Sequence, residues 1–250
     1  MSNSQNIYDD PAFFKGYHDL RERDDNHNVL VEQPAMAKLL PDLQGKTVLD
    51  LGCGCGWNCK DFISRGAAHV VGIDISENML NVARVESADP HIEYHRMDMT
   101  EISALTEQVD MVYSSLAFHY IENFPQLLAD ITRLLVPGGM LLFSQEHPLN
   151  TATIDEKISC FHRDEHGTPI AYTFSDYNRP GKRTVTWFVE GVEKYHRPMG
   201  VIITDIARAG LIIEEVCEPT ASDWALVKRP ALIKEEIKPC FLIIRARKPF

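Results

Sequence analysis

Apolar positions change period along the chain, and the changes mark out its elements. Over residues 1–45 they recur at helical spacing. Phe13, Phe14, Tyr17 and Leu20 fall on one face, and Pro34 opens a second segment carrying Ala35, Met36, Leu39 and Leu40. From Lys46 the pattern becomes strand–helix alternation. The apolar runs at 47–51, 69–74, 91–96, 109–115 and 140–144 have strand length. Between them, Cys59, Phe62, Ile63 and Gly66 sit at i, i+3, i+4 and i+7, and Ser76 is suited to cap a helix through Val85. Leu127, Leu128, Ile131, Leu134 and Leu135 mark a third helix, which Val136-Pro137-Gly138-Gly139 should stop. Crossovers of this kind imply right-handed βαβ units and a mainly parallel sheet with helices on both faces.

Residues 148–198 interrupt the alternation. They are rich in Pro, Gly, His and aromatics, and 185–195 reads as a hairpin turning near Glu190-Gly191. The alternation resumes with a helix through Met199, Ile202, Ile203 and Ile206, closed by Gly210. A strand from Leu211 and a last strand over 240–245 follow. No full crossover separates these two strands, so one of them should run antiparallel. The division is therefore a helical cap (1–45), a core (46–147), an insert (148–198) and a C-terminal part of the sheet (199–250), within one domain of 250 residues.

Composition adds exclusions. At 44% apolar and 24% charged the chain is ordinary globular protein, not disordered or collagen-like. A formal net charge of −11 opposes nucleic acid and anionic membrane as partners. No basic, apolar leader opens the sequence and no apolar run nears the ~18 residues of a membrane span, which points to the cytoplasm. Six cysteines in such a chain do not form a disulfide framework. Cys53, Cys55 and Cys59 lack the spacing of zinc or iron–sulfur sites. Cys160, His162 and His166 show only three ligands, so no metal is expected, with loop side chains weighed against zinc.

The chemistry concentrates in Val48-Leu-Asp50-Leu-Gly52-Cys53-Gly54-Cys55-Gly56-Trp57. Alternating glycines after a strand let a ligand approach the backbone closely. A dinucleotide fingerprint would place its third glycine where Trp57 stands, and Asp50 would repel a pyrophosphate. The segment resembles instead the first motif of class I S-adenosylmethionine-dependent methyltransferases, an acidic residue followed by G-x-G-x-G. Asp50, Gly52, Cys53, Gly54 and Gly56 cover it. Further matches follow in order. Asp74, with Ile75 beside it, corresponds to the acidic residue that takes the ribose hydroxyls. Asp98 and Met99 correspond to the adenine end, and 110–116, with Ser115, to the strand facing the sulfonium. The 135–141 stretch is similar to the turn before the fifth strand, and nearly the whole chain resembles a bacterial small-molecule subgroup. The resemblance implies a Rossmann-like fold with a mostly parallel seven-stranded sheet, S-adenosylmethionine as cofactor and a small-molecule methyl acceptor. A non-catalytic adenosylmethionine-binding protein is the alternative. A cationic sulfonium and ammonium suit acidic strand ends.

Outside these motifs, His119 follows the fourth strand, either as a general base or acceptor-orienting donor or as a packed helix-start residue. His147, Tyr195 and His196 flank the insert as candidate substrate contacts or loop anchors. Tyr17 and Arg21 would close over the cofactor, Arg21 pairing with its carboxylate or standing solvated. Trp57 should pack the helix it opens. Lys228, Arg229, Lys234, Glu235, Glu236 and Lys238 read as a solvated face. The insert, with the helix around Tyr17, is expected to form a lid over the acceptor pocket, or else a dimerisation arm.

Overall fold

The computed structural model describes residues 4–250; the first three residues of the expected helical segment lie outside the described ones. That segment is broken rather than continuous. α1 (Pro11–Arg21) starts on Asp10, whose carboxylate accepts from the Ala12 and Phe13 N–H groups, and a π-helical turn at Asn28–Glu32 leads into α2 (Gln33–Leu39). Of the four apolar residues expected on one face of α1, only Phe13 is fully buried.

The alternation then builds a seven-stranded sheet. β1 (Thr47–Leu51), α3 (Trp57–Ser64), β2 (His69–Asp74), α4 (Glu77–Glu86) and β3 (Ile92–Arg96) run outward from the centre. The chain returns to the other side of β1 with β4 (Val109–Ser115), α5 (Phe124–Leu134) and β5 (Leu135–Glu146). β10 (Ile212–Cys217) and β11 (Phe241–Arg247) complete the order β10-β11-β5-β4-β1-β2-β3. β11 is antiparallel to both neighbours, as the missing crossover requires, and the other four pairs are parallel. Strand order reverses between β1 and β4, so a crevice opens at their carboxyl ends.

Successive strand residues feed opposite faces. Val48, Met111 and Leu142 pack with Met36 of α2 and Phe62 of α3. Their neighbours Leu49, Val112 and Phe143 pack with Leu127, Leu128 and Ile131 of α5 and with Ile202 and Ile206 of α6 (Met199–Arg208). Each of these fully buried side chains contributes roughly 1.5–3 kcal/mol of apolar transfer free energy. Two sheet faces with this much cover make the crevice a rigid platform.

Three expectations change. Pro137-Gly138-Gly139 does not form a turn before the fifth strand: α5 stops at Leu134 and β5 already runs from Leu135 through the glycines, with a register irregularity against β4. The insert holds two hairpins, β6 (Cys160–Arg163) with β7 (Pro169–Thr173), and β8 (Gly181–Trp187) with β9 (Val189–His196). The second turns at Phe188, with φ +59°, while Gly191 lies inside β9. Finally, the charges after 228 are not all solvated. The 3-10 turn Pro230–Glu236 has a three-residue period, so Leu232, Glu235 and then Lys238 point inward, the latter two 1% and 8% exposed.

Candidate functional site

The turn between β1 and α3 is built by its glycines. Gly52, Gly54 and Gly56 have φ of +75°, +55° and +73°, a region that L side chains rarely enter. A Cβ on Gly52 would come 2.8 Å from that of Ala117, and one on Gly56 would press on the Tyr94 ring, 2.8 Å from Cζ. A Cβ on Gly54 would meet nothing within 4 Å, because Gly54 faces a cavity. The loop is tied to the second strand: the Gly52 and Cys53 N–H groups both donate to the Ile73 carbonyl, at 2.9 and 3.0 Å.

Asp74 ends β2 against this loop. Its Oδ2 accepts from the Gly54 N–H and its Oδ1 from the Ser76 N–H, each at 2.8 Å. Burial pushes its carboxyl up to about 6, against the pull of those two N–H groups. The next helix starts on Ser76, whose hydroxyl accepts from the Met79 N–H and donates to Asp9 at 2.6 Å. Asp9 thus docks the N-terminal segment beside Asp74.

The cavity over the strand ends measures about 420 Å³. Ile75, Met97, Asp98, Met99 and Thr100, which follow Asp74 at the ends of β2 and β3, line it; Asp98 caps the following turn through the Thr100 N–H. Ser115, Leu116 and Ala117, where β4 ends, form the centre of the floor, with Leu116 held at φ +55°. Tyr8 and Tyr17 from the cap and Tyr120 also line it, the Tyr8 and Tyr120 hydroxyls 3.2 Å apart. Lys182, Glu193 and Tyr195 of the second hairpin close the wall. Strand alternation explains why Lys194 faces away, to its ion pair with Glu146 at 2.5 Å.

Of the residues singled out from sequence, Gly52, Gly54, Asp74, Ile75, Asp98, Met99, Ser115, Tyr17 and Tyr195 meet at this cavity. The others lie behind its walls. Asp50 is fully buried, with one oxygen 3.4 Å from the Cys59 thiol, and burial raises its carboxyl to about 7. Cys53 is buried in the loop and Gly56 packs on Tyr94. The Arg21 guanidinium lies over the rings of Tyr17 and Trp57, 5.9 and 5.4 Å from their centroids. His119 is buried beneath Tyr120, its Nδ1 accepting from the Glu146 N–H at 3.4 Å, and burial brings its imidazole down to about 4. His147 accepts from the Leu149 N–H through Nδ1 and bonds Glu218 at 2.7 Å. His196 lies between the Thr151 hydroxyl and the Tyr177 carbonyl. Cys160 and His162 are neighbours on β6, while His166 sits on an exposed turn beside Glu165.

Sequence reasoning missed Tyr8, Tyr120, Glu122, Lys182 and Glu193, which also line the cavity. Tyr120 had a signal, being next to the histidine chosen in its place. The hairpin residues had the period-two alternation around Tyr195. Tyr8 had none, since its position depends on Asp9 meeting the start of α4.

Comparison with known proteins agrees with this fold. Residues 48–139 match the family model described as a methyltransferase domain. The chain is 36% identical over 258 residues to an uncharacterised protein of Haemophilus influenzae, covering 99% of each. An S-adenosylmethionine-dependent methyltransferase of Mesorhizobium loti, known by its crystal structure, shares 35% identity at a TM-score of 0.78, over 87% of this chain and 97% of that one. The malonyl-[acyl-carrier protein] O-methyltransferase of Serratia marcescens is 34% identical over 100 residues, 40% of this chain and 38% of that protein. Fold and site together define a class I Rossmann-like transferase built around an adenosine-bearing cofactor. The chain belongs to the S-adenosylmethionine-dependent methyltransferases, and S-adenosylmethionine is its cofactor.

Proposed function

We propose that the chain methylates a small-molecule acceptor held between the end of β4 and the second hairpin. The observation that carries this is the mixed lining of one cavity. The Asp74 carboxylate with the apolar Ile75, Met97 and Met99 fits ribose and adenine, and three tyrosines with Lys182 and Glu193 line the rest. Asp74 accepts the ribose hydroxyls on lone pairs left over from its two backbone bonds, and Asp98, Ile75 and Met99 take the adenine. Gly52 and Gly54 leave room for the chain between sugar and sulfur. Arg21 takes the carboxylate and Asp50 the ammonium.

When bound, the cofactor supplies an electrophilic methyl group on a sulfonium. The protein's work is then alignment, which can supply several orders of magnitude in rate. Ser115–Ala117 fix the floor beneath the transfer, and Tyr8, Tyr17 and Tyr120 shield it from water. A neutral His119 behind Tyr120 positions that ring rather than taking a proton. An acceptor already ionised at neutral pH, such as a carboxylic acid, needs no further base. The match to the Serratia enzyme supports this class of acceptor and not its particular one.

The net charge of −11 favours a small acceptor over nucleic acid. Among the described residues no helix is long and apolar enough to cross a membrane, and the six cysteines are unpaired, which supports a cytoplasmic enzyme. The test is to incubate protein and S-adenosylmethionine with metabolite pools sorted by chemical class, following adenosylhomocysteine release. A protein that binds adenosylmethionine by calorimetry yet turns over with no pool would refute a small-molecule methyltransferase.

A further inference from the structure

Glu32 is a buried acid with half of its hydrogen-bonding capacity unused. Glu32, at the end of the π-helical turn, is 0% exposed. Its Oε1 accepts from the Ser115 hydroxyl at 2.8 Å and from the Ser144 hydroxyl at 2.5 Å. Its Oε2 is buried with no partner. Neither protonation state satisfies that oxygen within the protein. As a carboxylate it has bare lone pairs, and as a carboxylic acid its O–H has no acceptor. Such an atom costs free energy that a bound cation removes.

The surroundings say what kind of cation. Ser115 is on the cavity floor, so Glu32 lies one side chain behind the ligand space. Asp50, at the end of β1, repeats the pattern: Oδ2 meets the Cys59 thiol, and Oδ1 is buried without a partner. Arg21 is held over Tyr17, which lines the cavity, and over Trp57, the first residue of α3. Two acids with one free oxygen each, and one guanidinium held by aromatic rings, complement an α-amino acid head group with its ammonium and carboxylate.

We propose that Glu32 binds the ammonium of the cofactor's amino-acid end, sharing it with Asp50, while Arg21 takes the carboxylate. This rests on the cofactor placement proposed above and adds a residue to it. The same carboxylate also links that end to the transfer point. Ser144 Oγ donates to Glu32 and accepts from the Leu116 N–H at 3.0 Å, and Leu116 is the cavity-floor residue with positive φ. The π-helical turn carries Glu32 to this position, in keeping with the frequency of such turns at functional sites.

Two ligands separate this role from a structural one. Adenosylhomocysteine has the amino-acid end, and 5′-methylthioadenosine lacks it. By calorimetry, Glu32→Gln, which keeps the shape and the acceptor for both serines, should weaken adenosylhomocysteine at least tenfold and leave methylthioadenosine within about twofold, the loss expected for a charge-assisted bond. Equal weakening of both ligands, or of neither, overturns the assignment. A variant-free arm uses the deaminated analogue of adenosylhomocysteine on unaltered protein. It should bind at least tenfold more weakly than the parent, and equal binding overturns the assignment even if Glu32→Gln fails to fold. If unaltered protein bound none of the three, the cofactor placement itself would fail, a different result from either.

Discussion

Asp74 is subject to opposing demands. Burial favours its neutral form and brings its carboxyl up to about 6, whereas ribose hydroxyls need an acceptor on both oxygens. The Gly54 and Ser76 N–H groups keep the ionised form competitive. Asp74→Ala should therefore weaken adenosylhomocysteine by roughly 1.5–3 kcal/mol, the range for bonds to a charged group. Protonation converts an acceptor into a donor, so affinity in the unaltered protein should be flat above pH 7 and fall as pH drops through 6. Calorimetry across that range checks both, and a flat profile down to pH 5 would remove Asp74 from the ribose. Asp50 has no such backbone support. Its carboxyl is raised to about 7 in the fold and returns to about 3.9 on unfolding, so the native state holds the extra proton between those values. Stability attributable to Asp50 is full below about pH 4 and is lost as pH rises through 7. Asp50→Asn should flatten that fall in urea melts at pH 5 and pH 8, and a parallel pair of curves would contradict it.

Among the elements, the sheet was legible and the insert was less so. Strands β1, β2 and β4 and the helix on Ser76 follow from local period and capping, which neighbouring elements only reinforce. The Val136–Gly139 stretch misleads because it is held from both sides: Leu135 and Met140 pair with Val109 and Met111 of β4, and Gly138 and Gly139 exchange backbone bonds with Lys248 just past β11. In the second hairpin, Glu190-Gly191 has the right turn chemistry, yet the turn falls at Phe188 because packing decides it. The Phe188 ring lies edge-on to Phe13, centroids 5.6 Å apart, and against Gly16 of α1. The partners of Glu32 and the position of Tyr8 were illegible for the same reason, since their surroundings come from segments far apart in sequence. A Cβ on Gly16 would come 2.7 Å from Phe188 Cδ1. Gly16→Leu should gain helix propensity in α1 but force the hairpin tip off it. Hydrogen exchange should then speed up across 181–196 while β1, β4 and β5 stay protected; unchanged exchange in the hairpin would mean that Lys194 and Arg183 anchor it without the tip.

At the scale of the whole molecule, the cavity is assembled from three stretches: the N-terminal segment, the strand ends between Gly52 and Asn123, and the second hairpin. The N-terminal segment is bound to both of the others. Asp9 receives Ser76 Oγ and the Asn78 N–H, and Gln5 donates to the Gly191 carbonyl at 2.8 Å and accepts from the Glu193 N–H at 2.9 Å. It adds little to the central core, where Phe13 is the one fully buried side chain among the described residues up to Arg21. Removing residues 1–22 should therefore leave a cooperatively folding sheet with a damaged ligand wall. In the full chain, adenosylhomocysteine at about a hundredfold over its Kd should add ~2.7 kcal/mol, a rise in Tm of roughly 5–10 °C for a domain of this size. The truncated chain should melt in one transition and lose most of that rise at the same ligand concentration, because Tyr8, Tyr17 and Arg21 are gone. If the full rise persisted, the N-terminal segment would be a wall for the acceptor alone, and the carboxylate partner of the cofactor would have to come from elsewhere than Arg21.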